Sequence, residues 1–252
     1  MNSTLLVLLT LLLMALVVSW TFHKIRKIHM SVEEVRESLG EKLENLFRQE
    51  QYLDILHSEL DLPIPLPPAG GWAASPDFLL LLVRHARAER PAVVLECGSG
   101  VSTVALARCM QLNGAGHVFA LDHDVEFAQR TRADLERYGL GDWATVIDAP
   151  LRKLTLGDRD WQWYDADALP GDGVDLLVVD GPPMPIDPLV PYPAGPMLFA
   201  KVVPGGTVFM DDTDRPGEKE IAARYRREFP DFDQQREITE KGCLVLKRGS
   251  EA

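Results

Sequence analysis

The pattern of apolar and polar residues divides the chain into an apolar segment, an amphipathic segment and a mixed C-terminal region. Residues 5–20 are apolar apart from Thr10 and Ser19. As a helix, residues 4–22 cover about 28 Å, close to the ~30 Å hydrocarbon core of a bilayer. No basic residue precedes this run and no small-residue cleavage pattern follows it, so a cleavable signal peptide is the weaker alternative. We predict a transmembrane anchor over residues 1–23.

A basic cluster follows the apolar run directly, at residues 23–27, with the sequence His-Lys-Ile-Arg-Lys. Clusters of this kind stay on the cytoplasmic side of a membrane. The cluster therefore predicts a single-pass protein with its N-terminus outside and everything after the anchor in the cytoplasm.

Residues 24–61 show the spacing of an amphipathic stalk helix. Apolar residues recur at steps of three, four or seven, at Ile25, Ile28, Val32, Val35, Leu39, Leu43, Leu46, Leu53, Leu56 and Leu60. Such a seam suits either a coiled coil between two copies of the chain or a helix lying on its own domain. The prolines that follow predict an extended linker over residues 62–74.

From residue 75 onward, strand-like and helix-like patterns alternate, which predicts an α/β domain with a doubly wound parallel sheet over residues 75–252. Strands are expected at 92–96, 117–121, 144–148, 174–180 and 205–211, and helices at 76–88, 101–112, 124–138, 194–203 and 217–229. Two further strands, 231–238 and 243–247, are joined by a turn at Lys241 and Gly242 and must be antiparallel. Residues 151–172 are expected to form a loop that serves as a lid.

Composition narrows the classes of function. The 252 residues are 46% hydrophobic, enough for one sizeable domain and an appendage. The net charge of −12 argues against a general nucleic-acid-binding protein. Cys97, Cys109 and Cys243 are widely separated within apolar segments, which predicts buried, reduced thiols and no zinc site.

The central motif is the segment 93–103, Val-Val-Leu-Glu-Cys-Gly-Ser-Gly-Val-Ser-Thr. It reads as a buried strand, a glycine turn and a helix N-terminus, the arrangement of a nucleotide-binding crevice. A dinucleotide site would favour a third glycine where Thr103 stands, and Glu96 is a poor neighbour for a pyrophosphate. A carboxylate there suits a cationic amino acid instead.

This Glu-x-Gly-x-Gly pattern resembles motif I of the class I S-adenosylmethionine-dependent methyltransferases. Further stretches, including Asp180-Gly-Pro-Pro and Asp211-Asp212-Thr-Asp, are similar to a methyltransferase-24-like branch, and the resemblance covers roughly residues 70–248. It implies a Rossmann-like sheet of seven strands and a site for S-adenosylmethionine. The cofactor-binding residues that we expect are Glu96, Gly98, Ser99, Gly100, Ser102, Thr103, Asp122, His123, Asp148, Ala149 and Asp180.

Two of these residues end successive predicted strands. Asp122 stands about twenty residues after the glycine turn, where one acid can hold both hydroxyls of a ribose. Asp148 ends the third strand, at a position where the resemblance implies a contact with the adenine amino group.

Three acids carry the predicted chemistry. Asp180 ends the fourth strand, and Asp211 and Asp212 end the fifth. They resemble the metal-binding acids of catechol-type and sugar O-methyltransferases, and oxygen ligands suit Mg²⁺ or another divalent cation. We therefore assign all three as catalytic and metal-binding residues. Asp180 could alternatively act as the general base, and Asp212 could simply cap a turn while Asp211 faces water.

We predict a membrane-anchored methyltransferase that acts on an oxygen of a small, glycan-like or lipid-linked acceptor. The alternatives are a metal-independent enzyme acting on nitrogen or on a protein side chain, and a non-catalytic cofactor-binding scaffold at the membrane. The aromatic and histidine residues that could line the acceptor pocket are Trp72, His123, Trp161, Trp163 and Tyr192. The arginine usual before Tyr-Pro-Ala in the family is replaced here by Pro191.

Overall fold

The computed structural model describes residues 3–165, 171–183 and 186–250. The chain divides into two compact units, residues 1–48 and 49–252. A single helix, α1 (Ser3–Leu60), forms the described part of the first unit and begins the second. The predicted anchor and stalk are therefore one helix without a break at residue 23. Its N-terminal part is long and apolar enough, by length and composition, to cross a membrane.

The predicted seam of α1 is exposed throughout the first unit. Each of its apolar side chains there is about half exposed or more, at Ile25, Ile28, Val32, Val35, Leu39, Leu43 and Leu46. Pairing of two copies of the chain along this seam stays a prediction.

The second unit is an α/β domain built on a seven-stranded sheet. Two further strands, β4 and β5, form a separate two-stranded sheet. The strands of the domain are β1 Val93–Cys97, β2 His117–Asp122, β3 Ala144–Asp148, β4 Leu151–Leu156, β5 Arg159–Tyr164, β6 Val174–Val179, β7 Val202–Met210, β8 Phe232–Glu237 and β9 Cys243–Arg248. Its helices after α1 are α2 Pro76–Glu89, α3 Val101–Asn113, α4 Val125–Arg137, α5 Ala194–Leu198 and α6 Pro216–Glu228. The order in the sheet is β3-β2-β1-β6-β7-β9-β8.

Strand directions confirm the predicted doubly wound fold. β3, β2, β1, β6 and β7 run parallel, and β9 is antiparallel to both of its neighbours. The chain leaves β1 toward β2 and β3 and later returns to the other side of β1 with β6. This reversal of strand order creates a crevice at the carboxyl ends of β1 and β6, where ligands bind in open α/β sheets.

Residues 151–172 are not the loop that we predicted. β4 and β5 form an antiparallel hairpin in which Arg152 pairs with Trp163 and Leu154 with Trp161. Alternation of polar and aromatic residues in Arg159–Tyr164 is the pattern of a half-buried strand, and Trp161, Trp163 and Tyr164 are its buried members. Residues 166–170 of the predicted lid lie outside the described residues.

The predicted helix 194–203 is too long. α5 ends at Leu198, one short 3₁₀ turn covers Phe199–Lys201, and β7 already begins at Val202. β-branched Val202 and Val203 prefer an extended backbone, so β7 starts three residues before the predicted strand at 205.

Apolar side chains of the central strands alternate between two cores, one on each face of the sheet. In β1, Val94 faces the core shared with α2 and α3, and Leu95 faces the core shared with α5 and α6. In β6, Leu176 and Leu177 alternate in the same way. A parallel sheet covered on both faces produces this uninterrupted apolar sequence.

The end of α1 is part of the domain core. Leu56 and Leu60 are fully buried in the same cluster as α2 and α3, and each such leucine stabilises the fold by roughly 1.5–3 kcal/mol. Gln49, also buried, donates from Nε2 to Asp77 Oδ2 over 2.9 Å. Asp77 Oδ2 accepts a second bond from the Glu240 amide over 2.7 Å. Asp77 therefore joins α1 and α2 to the turn between β8 and β9.

Candidate active site

The register of the sheet sets the ends of four parallel strands side by side. Cys97 in β1 pairs with Leu121 in β2 and with Val179 in β6, and Val179 pairs with Met210 in β7. The residue that follows each of these strand positions therefore stands in one row, and the row consists of Gly98, Asp122, Asp180 and Asp211. Continuing backbone bonds hold it: the Gly98 amide donates to Leu121, the Asp180 amide to Cys97, and the Asp211 amide to Val179.

The glycine turn after β1 needs a residue without a side chain. Gly98 has φ +107°, and a Cβ there would lie 2.9 Å from the Asp180 carbonyl oxygen. Both the left-handed backbone and the close approach exclude an ordinary side chain. The turn leads into α3 at Val101, so free amides at the start of this helix face the crevice.

A cavity of about 450 Å³ lies over the glycine turn. Its polar wall contains most of the predicted cofactor-binding residues, namely Glu96, Gly98, Ser99, Gly100, Ser102, Asp122, His123 and Asp180. The structure therefore brings together the acids of β1, β2 and β6 around one cavity.

Glu96 is a carboxylate almost without solvent contact, with 1% of its surface exposed. Its Oε2 accepts a bond from Thr103 over 2.6 Å, and its Oε1 has no hydrogen-bond partner among the described residues. Burial raises the pKa of Glu96 to about 7, and the hydroxyls of Ser102 and Thr103 oppose this rise. An unpaired buried acceptor at a cavity wall is suited to a cationic or hydrogen-donating ligand.

Asp122 is held in a fixed orientation by its neighbours. Ser99 donates its hydroxyl proton to Oδ2, and the Asp124 amide donates to Oδ1 over 2.9 Å. Ser99 in turn lies 3.0 Å from the Thr131 hydroxyl in α4. The buried carboxylate thus presents a preorganised acceptor pair to the cavity.

Three predicted cofactor-binding residues do not line this cavity. Thr103 is buried beneath it and supports Glu96. Asp148 is half exposed and pairs with Arg132 of α4 over 2.8 Å, and the Ala149 amide continues the sheet by donating to the Asp122 carbonyl. A contact of Asp148 or Ala149 with adenine stays a prediction.

A second cavity, of about 330 Å³, lies over the ends of β6 and β7. Asp180, Asp211 and Asp212 meet there, each with a carboxylate oxygen within 4.8 Å of the others. Successive residues of an extended strand point to opposite faces, and the left-handed conformation of Asp212 (φ 62°) changes that direction directly after the strand. All three predicted catalytic acids are therefore in one cluster.

Burial dominates the electrostatics of this cluster. It raises the pKa of Asp180 well above its usual value, and the Asp211 and Asp212 carboxylates raise it further. It also raises the pKa of Asp211 to about 6, against the lowering effect of Lys241. Lys241 Nζ lies 3.8 Å from Asp211 Oδ2, and Arg215 contacts Asp212 over 2.7 Å.

The acid cluster fits a divalent cation. Both carboxylate oxygens of Asp211 and Oδ1 of Asp212 are buried without a hydrogen-bond partner among the described residues. Unpaired buried carboxylate oxygens are costly unless a cation or donor completes them, and hard cations such as Mg²⁺ prefer oxygen ligands. The residues that would hold the ion are Asp180, Asp211 and Asp212.

The two cavities adjoin. Both are lined by Trp72, Asp180, Gly181 and Pro183. Trp72 is 80% exposed and follows Gly70 and Gly71, which have φ +88° and +67°. A ligand in the larger cavity and one in the smaller cavity would therefore meet beside Asp180.

Several site residues were missed by sequence reasoning. Tyr164, at the end of β5, is buried in the wall of the larger cavity, and its hydroxyl has no partner among the described residues. The available signal was the strand-like segment 159–164, in which Trp161 and Trp163 alternate with polar residues and Tyr164 ends the strand. No sequence pattern indicates that Lys241 belongs to the site. The turn that carries it lies near Asp211 only because β9 is placed beside β7 in the sheet.

The aromatic residues that we considered for the acceptor pocket separate into two groups. Trp72 and His123 line the cavities. Trp163 is fully buried in the core, and Trp161 packs against Tyr192 with ring centroids 4.9 Å apart. Pro191 contributes an apolar wall to the smaller cavity.

Comparison with known proteins agrees with this architecture. A family model described as a methyltransferase domain matches residues 95–213, the segment from β1 to the acids after β7. Comparison with curated protein sequences gives no significant match.

Solved structures share the fold at low sequence identity. Cofactor-bound Rv0187 from MTB has 20% identity and a TM-score of 0.56, and the match covers 80% of this chain and 91% of that one. The Podospora anserina methyltransferase PaMTH1, bound to SAH, has 16% identity and a TM-score of 0.56, with 80% and 88% covered. An O-methyltransferase from Bacillus cereus, in complex with SAH, has 17% identity and a TM-score of 0.53, with 79% and 90% covered.

The second unit has the seven-strand order expected of a class I S-adenosylmethionine-dependent methyltransferase, and the methyltransferase-domain model matches it from β1 to the acids after β7. The resemblance drawn from the motif Glu96-x-Gly98-x-Gly100 is thereby confirmed, and the chain is an enzyme of this class.

The raised pKa of Glu96 predicts a pH dependence of stability. The folded protein holds this proton more tightly than the unfolded chain, so the stabilisation is complete below about pH 4.5 and is lost as the pH rises through about 7. The loss from this group is about 3 kcal/mol. Glu96→Gln should remove it, whereas Glu126→Gln, at an exposed position of α4, should keep the wild-type dependence. Urea unfolding of the full chain in detergent at about pH 5 and about pH 8 measures the difference; equal dependence in wild type and Glu96→Gln would contradict it.

Proposed function

We propose that this protein transfers the methyl group of S-adenosylmethionine to an oxygen atom of a small acceptor. The observation that carries the proposal is the junction of two cavities at Asp180, one over the glycine turn and one over the acid cluster. Methyl transfer is an in-line displacement, so donor and acceptor must be held next to each other and away from water. S-adenosylmethionine would supply an electrophilic methyl group on a sulfonium.

The larger cavity suits the donor. Glu96, with its unpaired Oε1, would accept from the positively charged amino acid part, and Asp122, with both oxygens fixed by Ser99 and Asp124, would hold the ribose. The solved complexes of similar fold support this assignment, since the structures from Podospora anserina and Bacillus cereus contain SAH.

The smaller cavity suits the acceptor. A divalent cation on Asp180, Asp211 and Asp212 would lower the pKa of a bound hydroxyl. Without such an ion, Asp180, whose pKa is raised well above its usual value, is suited to take the hydroxyl proton as a general base. Trp72 and Pro191 add apolar surface. Several neighbours of similar fold are named O-methyltransferases, including those from Bacillus cereus and Klebsiella pneumoniae, which favours oxygen as the accepting atom.

The N-terminal part of α1 bears on where the acceptor lies. We propose that its N-terminal part spans the membrane once, with the methyltransferase domain in the cytoplasm, because the basic residues 23–27 follow the apolar run directly. Tethering raises the encounter rate with acceptors in the same membrane. A glycan-like or lipid-linked acceptor therefore suits this chain.

Donor binding and metal assistance can be tested separately on the full chain in detergent. Asp122→Ala should weaken binding of S-adenosylmethionine about 10- to 100-fold, because one charged acceptor contributes about 1.5–3 kcal/mol. Asp142→Ala, at an exposed position after α4, should bind like the wild type. Calorimetric titration measures both.

In the same preparation, the double change Asp211→Asn with Asp212→Asn should abolish transfer of labelled methyl to lipid and glycan extracts while leaving donor binding intact. Unchanged transfer in this variant, or in the presence of a chelator, would reject the metal role. No heat of donor binding in the wild type would reject the proposed function as a whole.

The membrane anchor predicts a different fractionation. The full chain should remain in the membrane pellet after alkaline carbonate extraction. Leu11→Arg with Leu13→Arg should shift it toward the soluble fraction, because each arginine near the bilayer centre costs roughly 2.5–3.5 kcal/mol. Leu39→Arg with Leu43→Arg, outside the apolar run, should leave it in the pellet. Protease added to intact cells should spare the methyltransferase domain; its digestion would contradict the cytoplasmic location.

A further inference from the structure

The ammonium group of Lys241 lies beside the acid cluster without bonding to it. Its Nζ is 3.8 Å from Asp211 Oδ2 and 3.8 Å from Asp212 Oδ1. These distances exceed those of a hydrogen bond. The Lys241 side chain is only 17% exposed, and Nζ donates a hydrogen bond to the Ala73 carbonyl over 3.0 Å.

The backbone of Lys241 is fixed in this place from several directions. The Asp214 amide donates to the Lys241 carbonyl over 2.9 Å, and the Thr213 amide donates to Gly242 over 3.0 Å. The Glu240 amide donates to Asp77 Oδ2 at the start of α2. The turn between β8 and β9 is thus tied to the segment that carries Asp211 and Asp212, and the lysine position is part of the site's construction.

The negative charge of the acid cluster is only partly balanced by the cations around it. Three carboxylates share a buried space, and Arg215 contacts only one of them, Asp212, at short distance. Asp211 lines the smaller cavity with a fully buried side chain, and neither of its carboxylate oxygens has a hydrogen-bond partner among the described residues. Lys241 compensates the charge of Asp211 and still leaves its oxygens open to a ligand.

We propose that Lys241 is a built-in counter-ion of the acid cluster that competes with the divalent cation for Asp211 and Asp212. This inference rests on the metal role in the proposed function. A divalent cation bound to these oxygens would stand a few ångströms from an ammonium group and be repelled by it. The ion therefore binds only as Nζ moves away from the acids, and Lys241 sets how tightly the cluster takes a metal.

The test is a calorimetric titration of the full chain with Mn²⁺ in detergent. Lys241→Met keeps the length of the side chain and removes its charge, and it should bind Mn²⁺ at least about tenfold more tightly than the wild type. Lys241→Gln, a second neutral variant, should show the same increase in Mn²⁺ affinity, and it serves as the test if Lys241→Met does not fold. Lys241→Arg keeps the charge and should bind like the wild type, as should Lys247→Met, at an exposed position of β9.

Thermal unfolding gives an independent readout. In chelator, Lys241→Met should melt below the wild type, because the buried acids have lost a counter-charge, and saturating Mn²⁺ should close the gap. Equal Mn²⁺ affinity in wild type and both neutral variants would overturn the inference while leaving donor binding and methyl transfer untouched. No Mn²⁺ binding by any of these proteins would overturn the metal role and the inference with it.

Discussion

The hydrogen-bond register between β1 and its two neighbours is the constraint on which the site depends. Cys97 pairs with Leu121 on one side and Val179 on the other, and this double pairing sets Gly98 between Asp122, which ends β2, and Asp180, which follows β6. A shift of one residue in either strand would turn its terminal carboxylate toward a core. Apolar residues of β1 and β6 point alternately into the two cores, and this packing opposes such a shift. The packing of the domain therefore also fixes the positions of the acids.

Concentrating carboxylates at the carboxyl ends of parallel strands has an electrostatic cost that explains the site's other residues. Glu96, Asp180 and Asp211 all have raised pKa values, chiefly through burial. The site offsets this cost with hydroxyls around Glu96 and with Arg215 and Lys241 around the acid cluster. Among the described residues, Glu96, Asp211 and Asp212 each keep a buried carboxylate oxygen without a hydrogen-bond partner. These residues line the two cavities, where a cationic donor and a metal would complete them.

Much of this arrangement follows from local sequence. Short apolar runs that end in Glu96, Asp122 or Asp180 identify buried strands and their acidic ends, because alternation and burial act over a few residues. The features of the site that the sequence does not predict depend on contacts between segments far apart in the chain. Asp148 pairs with Arg132 of α4, and Lys241 reaches Asp211 only because β9 lies beside β7. The hairpin of β4 and β5 was missed although Trp161 and Trp163 alternate with polar residues, because its many charged residues are typical of a loop.

We expect one groove, bounded by Glu96, Asp122 and Asp180, to hold the cationic methyl donor. A crystal structure of the protein with SAH and Mn²⁺ would show whether it does. Density for SAH is expected over the glycine turn at Gly98, with its ribose at Asp122 and its sulfur toward Asp180, together with an anomalous peak among the three aspartates. Density for SAH elsewhere, or side chains filling this groove, would contradict it.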